Sequence, residues 1–290
     1  MSVRFFAPAK LNLSLDLGPA RADGYHEIRS VMQAVSLGDR LHVVPAARFR
    51  VENPQVPAGD LVTQAAEIFE ATTGIRAAVS VRVQKRIPIG AGLGGGSSDA
   101  ACILRALRDI LLPELPADRL LAMARQIGSD VPFFLGGAPR ALAVGRGEIL
   151  TPLPPAPPRF AVIAWPGVGL RTQEVYRVSS PGPGNATEAV LAGAEQAAND
   201  LAPAALRLCP ALKELVFQAA AKGVRLQVTG SGSAAFSLHA DSQSAACALQ
   251  ALRPLAPRVL LCQTLDAWPW RAQSPDRLSG RRPTRGGSLA

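Results

Sequence analysis

Lysine is scarce in this 290-residue chain: four of its 31 basic residues, Lys10, Lys85, Lys213 and Lys222, carry an ammonium group. Histidine appears three times and tyrosine twice, and the four cysteines (Cys102, Cys209, Cys247, Cys262) form no CxxC pair. These absences exclude a His/Cys zinc site and a disulfide framework; a reducing, cytoplasmic compartment is expected. No uncharged apolar run reaches the length needed to cross a bilayer. The opening stretch carries Arg4, Lys10 and Asp16, so neither a signal peptide nor a membrane partner is expected. Also missing is any G-x-x-x-x-G-K-[ST] sequence, which excludes a P-loop nucleotide site.

Apolar residues make up 48% of the chain, enough for a sizeable core, and its length predicts two lobes. The net charge of +9 raises nucleic-acid binding as a reading. Residues 267–290, however, hold five arginines and one aspartate, a net +4 that leaves +5 for the remainder. No basic stripe interleaved with aromatics appears, so a solvated surface that attracts acidic small molecules is the better account, and no nucleic-acid partner is expected.

Alternation from Arg4 to Leu17 predicts a strand interrupted at Pro8, followed by turn chemistry over 18–26 and a second extended run from Ile28 to Leu37. Asp60 predicts a helix start, with Gly74 as its stop. Val79, Val81 and Val83 predict a strand. Ala100, Ile103, Leu104, Leu107 and Leu111 recur at helical spacing, and a further helix is expected over 117–127. The proline-rich stretch 152–159 marks the lobe boundary. Beyond it the pattern predicts a strand over 160–165, helices over 186–198 and 203–222, and strands over 225–229 and 234–238.

The sequence between the valine strand and the apolar helix, residues 87–101, reads IPIGAGLGGGSSDAA. Five glycines in seven positions let the backbone approach a ligand closely, and Ser97, Ser98 and Asp99 are favoured helix starters. A strand, a glycine loop and a helix N-terminus together offer unpaired N–H groups and a positive dipole end, which suit a phosphate. Gly90, Gly92 and Gly95 also match the dinucleotide fingerprint, but the acidic residue at the required distance, Glu114, lies between prolines rather than at a strand end. On these residues alone the loop is a phosphate cradle open to several ligands.

The loop resembles the ATP-binding motif of the GHMP kinases, the superfamily of galactokinase, homoserine kinase and mevalonate kinase. Four further segments, in order along the chain, resemble one branch of it, the 4-diphosphocytidyl-2-C-methyl-D-erythritol kinases. They are residues 7–15 (APAKLNLSL) with 23–28 (DGYHEI), 127–134 (IGSDVPFF) with 145–148 (GRGE), 166–170 (PGVGL), and 229–236 (TGSGSAAF). Val175–Tyr176 and residues 199–201 (NDL) fit the same pattern. The similarity runs from residue 5 to about 266.

What the resemblance implies is an α+β, two-lobed fold. Residues 1–155 would form an ATP-binding lobe like the second domain of ribosomal protein S5, residues 156–266 a ferredoxin-like lobe, and residues 267–290 a disordered basic tail. The implied reaction is ATP-dependent phosphorylation of the 2-hydroxyl of 4-diphosphocytidyl-2-C-methyl-D-erythritol in non-mevalonate isoprenoid precursor biosynthesis. Asp130 would be the catalytic base and Lys10 its cationic partner. Pro88, Gly90, Ala91, Gly92, Leu93, Gly94, Gly95, Gly96, Ser97 and Ser98 would bind ATP. Tyr25 and Tyr176 would stack on the two faces of the cytosine and His26 would bond its edge. Asn12 and the turn at Gly230, Ser231 and Gly232 would complete the substrate site. No side-chain cluster for a metal is expected, and Mg2+ would arrive on the ATP phosphates and meet Ser97.

Without the resemblance several of these residues have duller readings. Asp130 reads as a cap or turn residue after Gly128 and Ser129, Tyr25 and Tyr176 as half-buried aromatics, and the 229–233 turn as a hairpin. Lys10 stands apart, because a lysine between Ala9 and Leu11 in an apolar run needs a reason. Arg21, Asp16, Asp23 and Glu148 receive no role. The rival from another class is an RNA-binding module, which requires salt-steep RNA affinity and no phosphoryl transfer.

Overall fold

The computed structural model describes residues 3–21, 26–52 and 60–269; Asp23, Tyr25 and the tail from residue 270 onward lie outside them. In the N-terminal lobe β1 (Val3–Asn12) and β2 (Asp16–Ala20) both pair antiparallel with the long β3 (His26–Pro45). With β4 (Arg50–Val51), β5 (Val79–Gln84), β6 (Arg140–Gly145) and β7 (Ile149–Pro152) they form a seven-stranded sheet among the described residues. Helices α1 (Leu61–Thr73), α2 (Gly95–Leu111), α3 (Ala117–Ile127) and the short α4 (Val131–Leu135) cover one face. Phe69, Ile103, Leu107 and Phe133 there pack with Val43 and Val81 of the sheet in one fully buried cluster. Asp60 caps α1 by accepting from Thr63 N at 2.7 Å, and Gly74 ends it in the left-handed conformation at φ 72°, as the sequence predicts.

The C-terminal lobe runs β8 (Phe160–Trp165), α5 (Thr172–Arg177), α6 (Ala186–Leu191), α7 (Ala202–Leu208), α8 (Pro210–Ala221), β9 (Gln227–Val228), β10 (Ala235–His239), α9 (Ser242–Leu252) and β11 (Arg258–Gln263). Its sheet has the order β11–β8–β10–β9 with every neighbour antiparallel, which is the ferredoxin-like arrangement. The sequence pattern read 203–222 as one helix. The chain divides it at Cys209, because Pro210 has no N–H to continue α7 and starts α8 instead. Likewise α6 stops at Leu191, short of the expected 198.

A third buried cluster joins the lobes: Ala9, Leu11, Val31 and Val35 of the first sheet pack with Ile163 and Phe236 of the second. This explains the unbroken apolar stretches of β1, since a strand covered on both faces has no solvent side to alternate toward. The β1–β3 register shifts between Pro8 and Ala9. Before the shift Ala7 belongs to the helix-side core; after it Ala9 and Leu11 belong to the inter-lobe core, leaving Lys10 and Asn12 to the cleft. Re-aiming a side chain beside a site is what such irregularities do. Past β11 the chain returns to the first lobe, where Leu265 N bonds Ala34 O at 2.9 Å and Trp268 meets Phe133 edge-on at 5.5 Å.

Candidate active site

Between the lobes lies a cavity of about 1170 Å³. Its wall includes Lys10, Asn12, His26, Pro88, the stretch Gly90–Ser97, Asp130, Tyr176, Gly230 and Ser231, so most of the expected site residues converge on one space. Tyr25 lies outside the described residues. Ser98 and Gly232 do not reach the cavity: the Ser98 side chain is fully buried, and Gly232 packs against Val228 and Ala205 beneath its turn.

The glycine loop lines one end of the cavity. Gly90, Gly92 and Gly94 hold positive φ (68°, 77° and 71°), and Gly95 and Gly96 open α2. The cap position belongs to Gly94, in the left-handed conformation and without a side-chain bond, so the serines are first-turn residues and not caps. The first turn presents the N–H groups of Gly95, Gly96 and Ser97 at the positive end of a 17-residue helix. Intrahelical bonding begins at Ser98, whose N–H donates to Gly94 O at 2.9 Å.

The glycines also serve packing between the lobes. A Cβ on Gly92 would stand 2.3 Å from Thr229 O, and one on Gly90 3.1 Å from Gly169 Cα. Ala234 N donates to Ala91 O (3.0 Å), Leu170 N to Gly90 O (3.1 Å) and Lys10 N to Leu93 O (3.0 Å). The glycine loop is therefore clamped between β1 and two turns of the other lobe.

Lys10 Nζ lies 3.4 Å from Asp130 Oδ2, and its side chain is 5% exposed against 29% for Asp130. The same ammonium donates to Asn12 Oδ1 at 2.6 Å, and Asn12 Nδ2 donates to Ser30 Oγ at 2.7 Å. A buried ammonium without partners would be costly; here a carboxylate and a carboxamide hold it. Asp130 stands in a turn at the cap position of α4, and its side chain makes no capping bond. Its carboxylate faces the cavity beside Lys10. At the other end His26 and Tyr176, from different lobes, bring their rings to 6.1 Å at a 39° tilt. Burial, with the Asp130 charge nearby, raises the Tyr176 phenol above its ordinary pKa, so it remains a hydrogen-bond donor at neutral pH.

Sequence reasoning missed a buried cluster behind the loop. Lys85 Nζ meets Asp39 Oδ2 at 2.5 Å and Asp99 Oδ2 at 2.8 Å, and Asp39 also accepts from the backbone of Arg86 and Ile87. Burial would depress Lys85, but the two carboxylates outweigh it and raise the ammonium above its usual range. One ammonium cannot neutralise two carboxylates, and burial pushes the Asp99 carboxyl up to about 7 against the pull of Lys85. The available signal was a charged residue at position 99 on a helix face otherwise built of Ala100, Ile103 and Leu107. Arg146 and Arg177 also line the cavity without having been foreseen. Asp16, by contrast, is structural: its carboxylate accepts from Ala186 N and Thr187 N at the start of α6.

Comparison with known proteins agrees with this geometry. The family model described as the GHMP kinases N terminal domain matches residues 60–138. The chain is 39% identical to the 4-diphosphocytidyl-2-C-methyl-D-erythritol kinase of Pelotomaculum thermopropionicum, over 92% of this chain and 99% of that one. A crystal structure of 4-(cytidine 5'-diphospho)-2C-methyl-D-erythritol kinase superposes with a TM-score of 0.78 at 39% identity, over 91% of this chain and all of that one. Homoserine kinase from Cytophaga hutchinsonii, at 18% identity and a TM-score of 0.69, covering 91% of this chain and 95% of that one, shares the fold.

Proposed function

The chain belongs to the 4-diphosphocytidyl-2-C-methyl-D-erythritol kinase family of GHMP kinases, and from that premise we propose how its own residues carry the reaction. It is an ATP-dependent kinase that phosphorylates the 2-hydroxyl of 4-diphosphocytidyl-2-C-methyl-D-erythritol in isoprenoid precursor biosynthesis, giving the 2-phosphate and ADP. The observation that carries the assignment of roles is the Lys10–Asp130 pair, set in the cavity between two glycine turns.

On this reading residues 1–155 bind ATP, residues 156–266 close the acceptor side, and the acceptor is a small molecule and not a nucleic acid. The N–H groups of Gly95, Gly96 and Ser97 receive the ATP phosphates, with Pro88 and the 90–94 backbone forming the wall beside them. Asp130 accepts the proton of the attacking hydroxyl as its oxygen bonds to the γ-phosphorus and the bond to the leaving ADP oxygen breaks. Lys10 places positive charge where the attacking oxygen and the transferred group are most negative. Asn12 keeps Lys10 in place from one side while Asp130 holds it from the other. His26 and Tyr176 hold the cytosine, with Tyr25 assigned to its second face, and Gly230 and Ser231 approach the acceptor near the site of transfer.

Among the described residues no cluster of three or more His, Cys, Asp or Glu side chains is arranged to hold a metal. Mg2+ would be carried by the nucleotide phosphates with its own waters, and the half-buried Ser97 hydroxyl would be its protein ligand. When bound, the ion supplies charge neutralisation on the phosphates. Among the described residues no helix is long and apolar enough to cross a membrane, and a cytoplasmic site of action is part of the proposal.

Phosphorus NMR of the products tests the reading. A new phosphomonoester signal should appear together with ADP and an intact cytidine diphosphate signal. Release of inorganic phosphate alone would contradict it.

A further inference from the structure

Asn199, from the short NDL segment, has no place in the chemistry above, yet it is 5% exposed and fully engaged in hydrogen bonds. Its Nδ2 donates to Val228 O at 2.9 Å and to Gly230 O at 2.8 Å, while Oδ1 accepts from Leu201 N at 2.9 Å. Only this orientation of the amide sets donors against the two carbonyls. The carboxamide thus grips the entering side of the second glycine turn, at Val228 and Gly230.

That turn in turn touches the catalytic pair. Thr229 Oγ1 accepts from Asn12 N at 3.0 Å, and Asn12 Oδ1 receives the Lys10 ammonium at 2.6 Å. A Cβ on Gly230 would stand 3.2 Å from Lys10 Nζ and 3.3 Å from Asn12 Oδ1. The turn therefore forms the wall against which Lys10 is set, and its position relative to the ammonium depends on Asn199 beneath it and Thr229 beside it. Neither reaches the reacting atoms through these bonds.

We infer that Asn199 and Thr229 are positioning residues for phosphoryl transfer. They fix the Gly230 turn against Lys10, and so fix the ammonium relative to Asp130 and to the acceptor hydroxyl. The inference rests on the reaction assigned above. The loss should fall on transfer more than on ATP binding, because the ATP loop keeps two anchors outside this turn, at Lys10 N and Leu170 N.

The test uses the full-length protein with ATP, Mg2+ and the diphosphocytidyl acceptor, and compares Asn199→Asp, Thr229→Val and Thr229→Ser. Asn199→Asp keeps shape and loses both donors; Thr229→Val keeps shape and loses the acceptor; Thr229→Ser keeps the hydroxyl. For the first two kcat should fall about 10- to 100-fold, the loss that a small misplacement of catalytic groups produces. The KM for ATP should stay within about threefold, and Thr229→Ser should retain kcat within about threefold. Should Asn199→Asp fail to fold, the Thr229 pair decides alone. Folded variants with wild-type kcat, or a kcat loss matched by an equal loss of ATP affinity, would overturn the inference. A wild-type protein that phosphorylates no such acceptor would instead overturn the assigned reaction, and the inference with it.

Discussion

Substituting alanine at Gly92 and at Gly74 separates the two demands that glycine meets here. Both residues have nearly the same backbone, φ 77° and 72°, so both variants carry the cost of a left-handed L-residue, about 1 kcal/mol. At Gly74 a Cβ meets nothing within 4 Å, and the cost ends there. At Gly92 the Cβ would stand 2.3 Å from Thr229 O, 2.9 Å from Gly232 O and 3.0 Å from Gly232 N, all backbone. That turn cannot yield freely, because Asn199 bonds it from below and Ala234 N ties it to Ala91. Overpacking of this kind costs about 1–3 kcal/mol, so Gly92→Ala should lose roughly 2–4 kcal/mol against about 1 for Gly74→Ala. Urea unfolding measures both, and acceptor-dependent ADP release should fall sharply only in Gly92→Ala. Equal stability losses in the two variants would refute the docking of the glycine loop on the second turn.

Asp130→Ala should cut turnover by about 10²- to 10⁴-fold, the usual worth of a general base, while calorimetric ATP affinity changes little. Arg146→Met should raise the KM for the acceptor about tenfold or more and leave the KM for ATP unchanged. The reason is position: Arg146, which also pairs with Glu148 (Nε–Oε1 3.7 Å), lines the cavity, where its guanidinium would meet the acceptor's diphosphate. At Asp99 the folded-state pKa of about 7 stands above the ordinary 3.8, so the folded protein binds the extra proton. The stability this contributes is present at low pH and is lost as pH rises through about 7. Asp99→Asn lacks that loss, so in urea unfolding it should gain on the wild type between about pH 5 and pH 8; a constant difference would contradict the cluster's electrostatics.

Local chemistry was legible wherever a short-range rule acts. Asp60 and Gly74 bound α1 by capping and left-handed termination, and the valine alternation gives β5. The start of α2 was harder to read, because Ser97 and Ser98 look like caps while Gly94 does the capping through its left-handed backbone. Pairings across long separations left no sequence pattern. Asp39 lies 46 residues before Lys85, and Asn199 grips a carbonyl 31 residues later; each pairing lies within one lobe but needed that lobe folded. Lys10 was the exception, since a lysine in a strand buried on both faces announces a partner without naming it. The motif order identified Asp130 as that partner, and the geometry supplied the distance.

The most direct test of the account is ADP release measured on one enzyme preparation with a panel of acceptor alcohols, alongside the Asp130→Asn variant. Release should require 4-diphosphocytidyl-2-C-methyl-D-erythritol, be absent with mevalonate and homoserine, and collapse in the variant while ATP still binds. Equal release with mevalonate or homoserine, or full activity in Asp130→Asn, would contradict it.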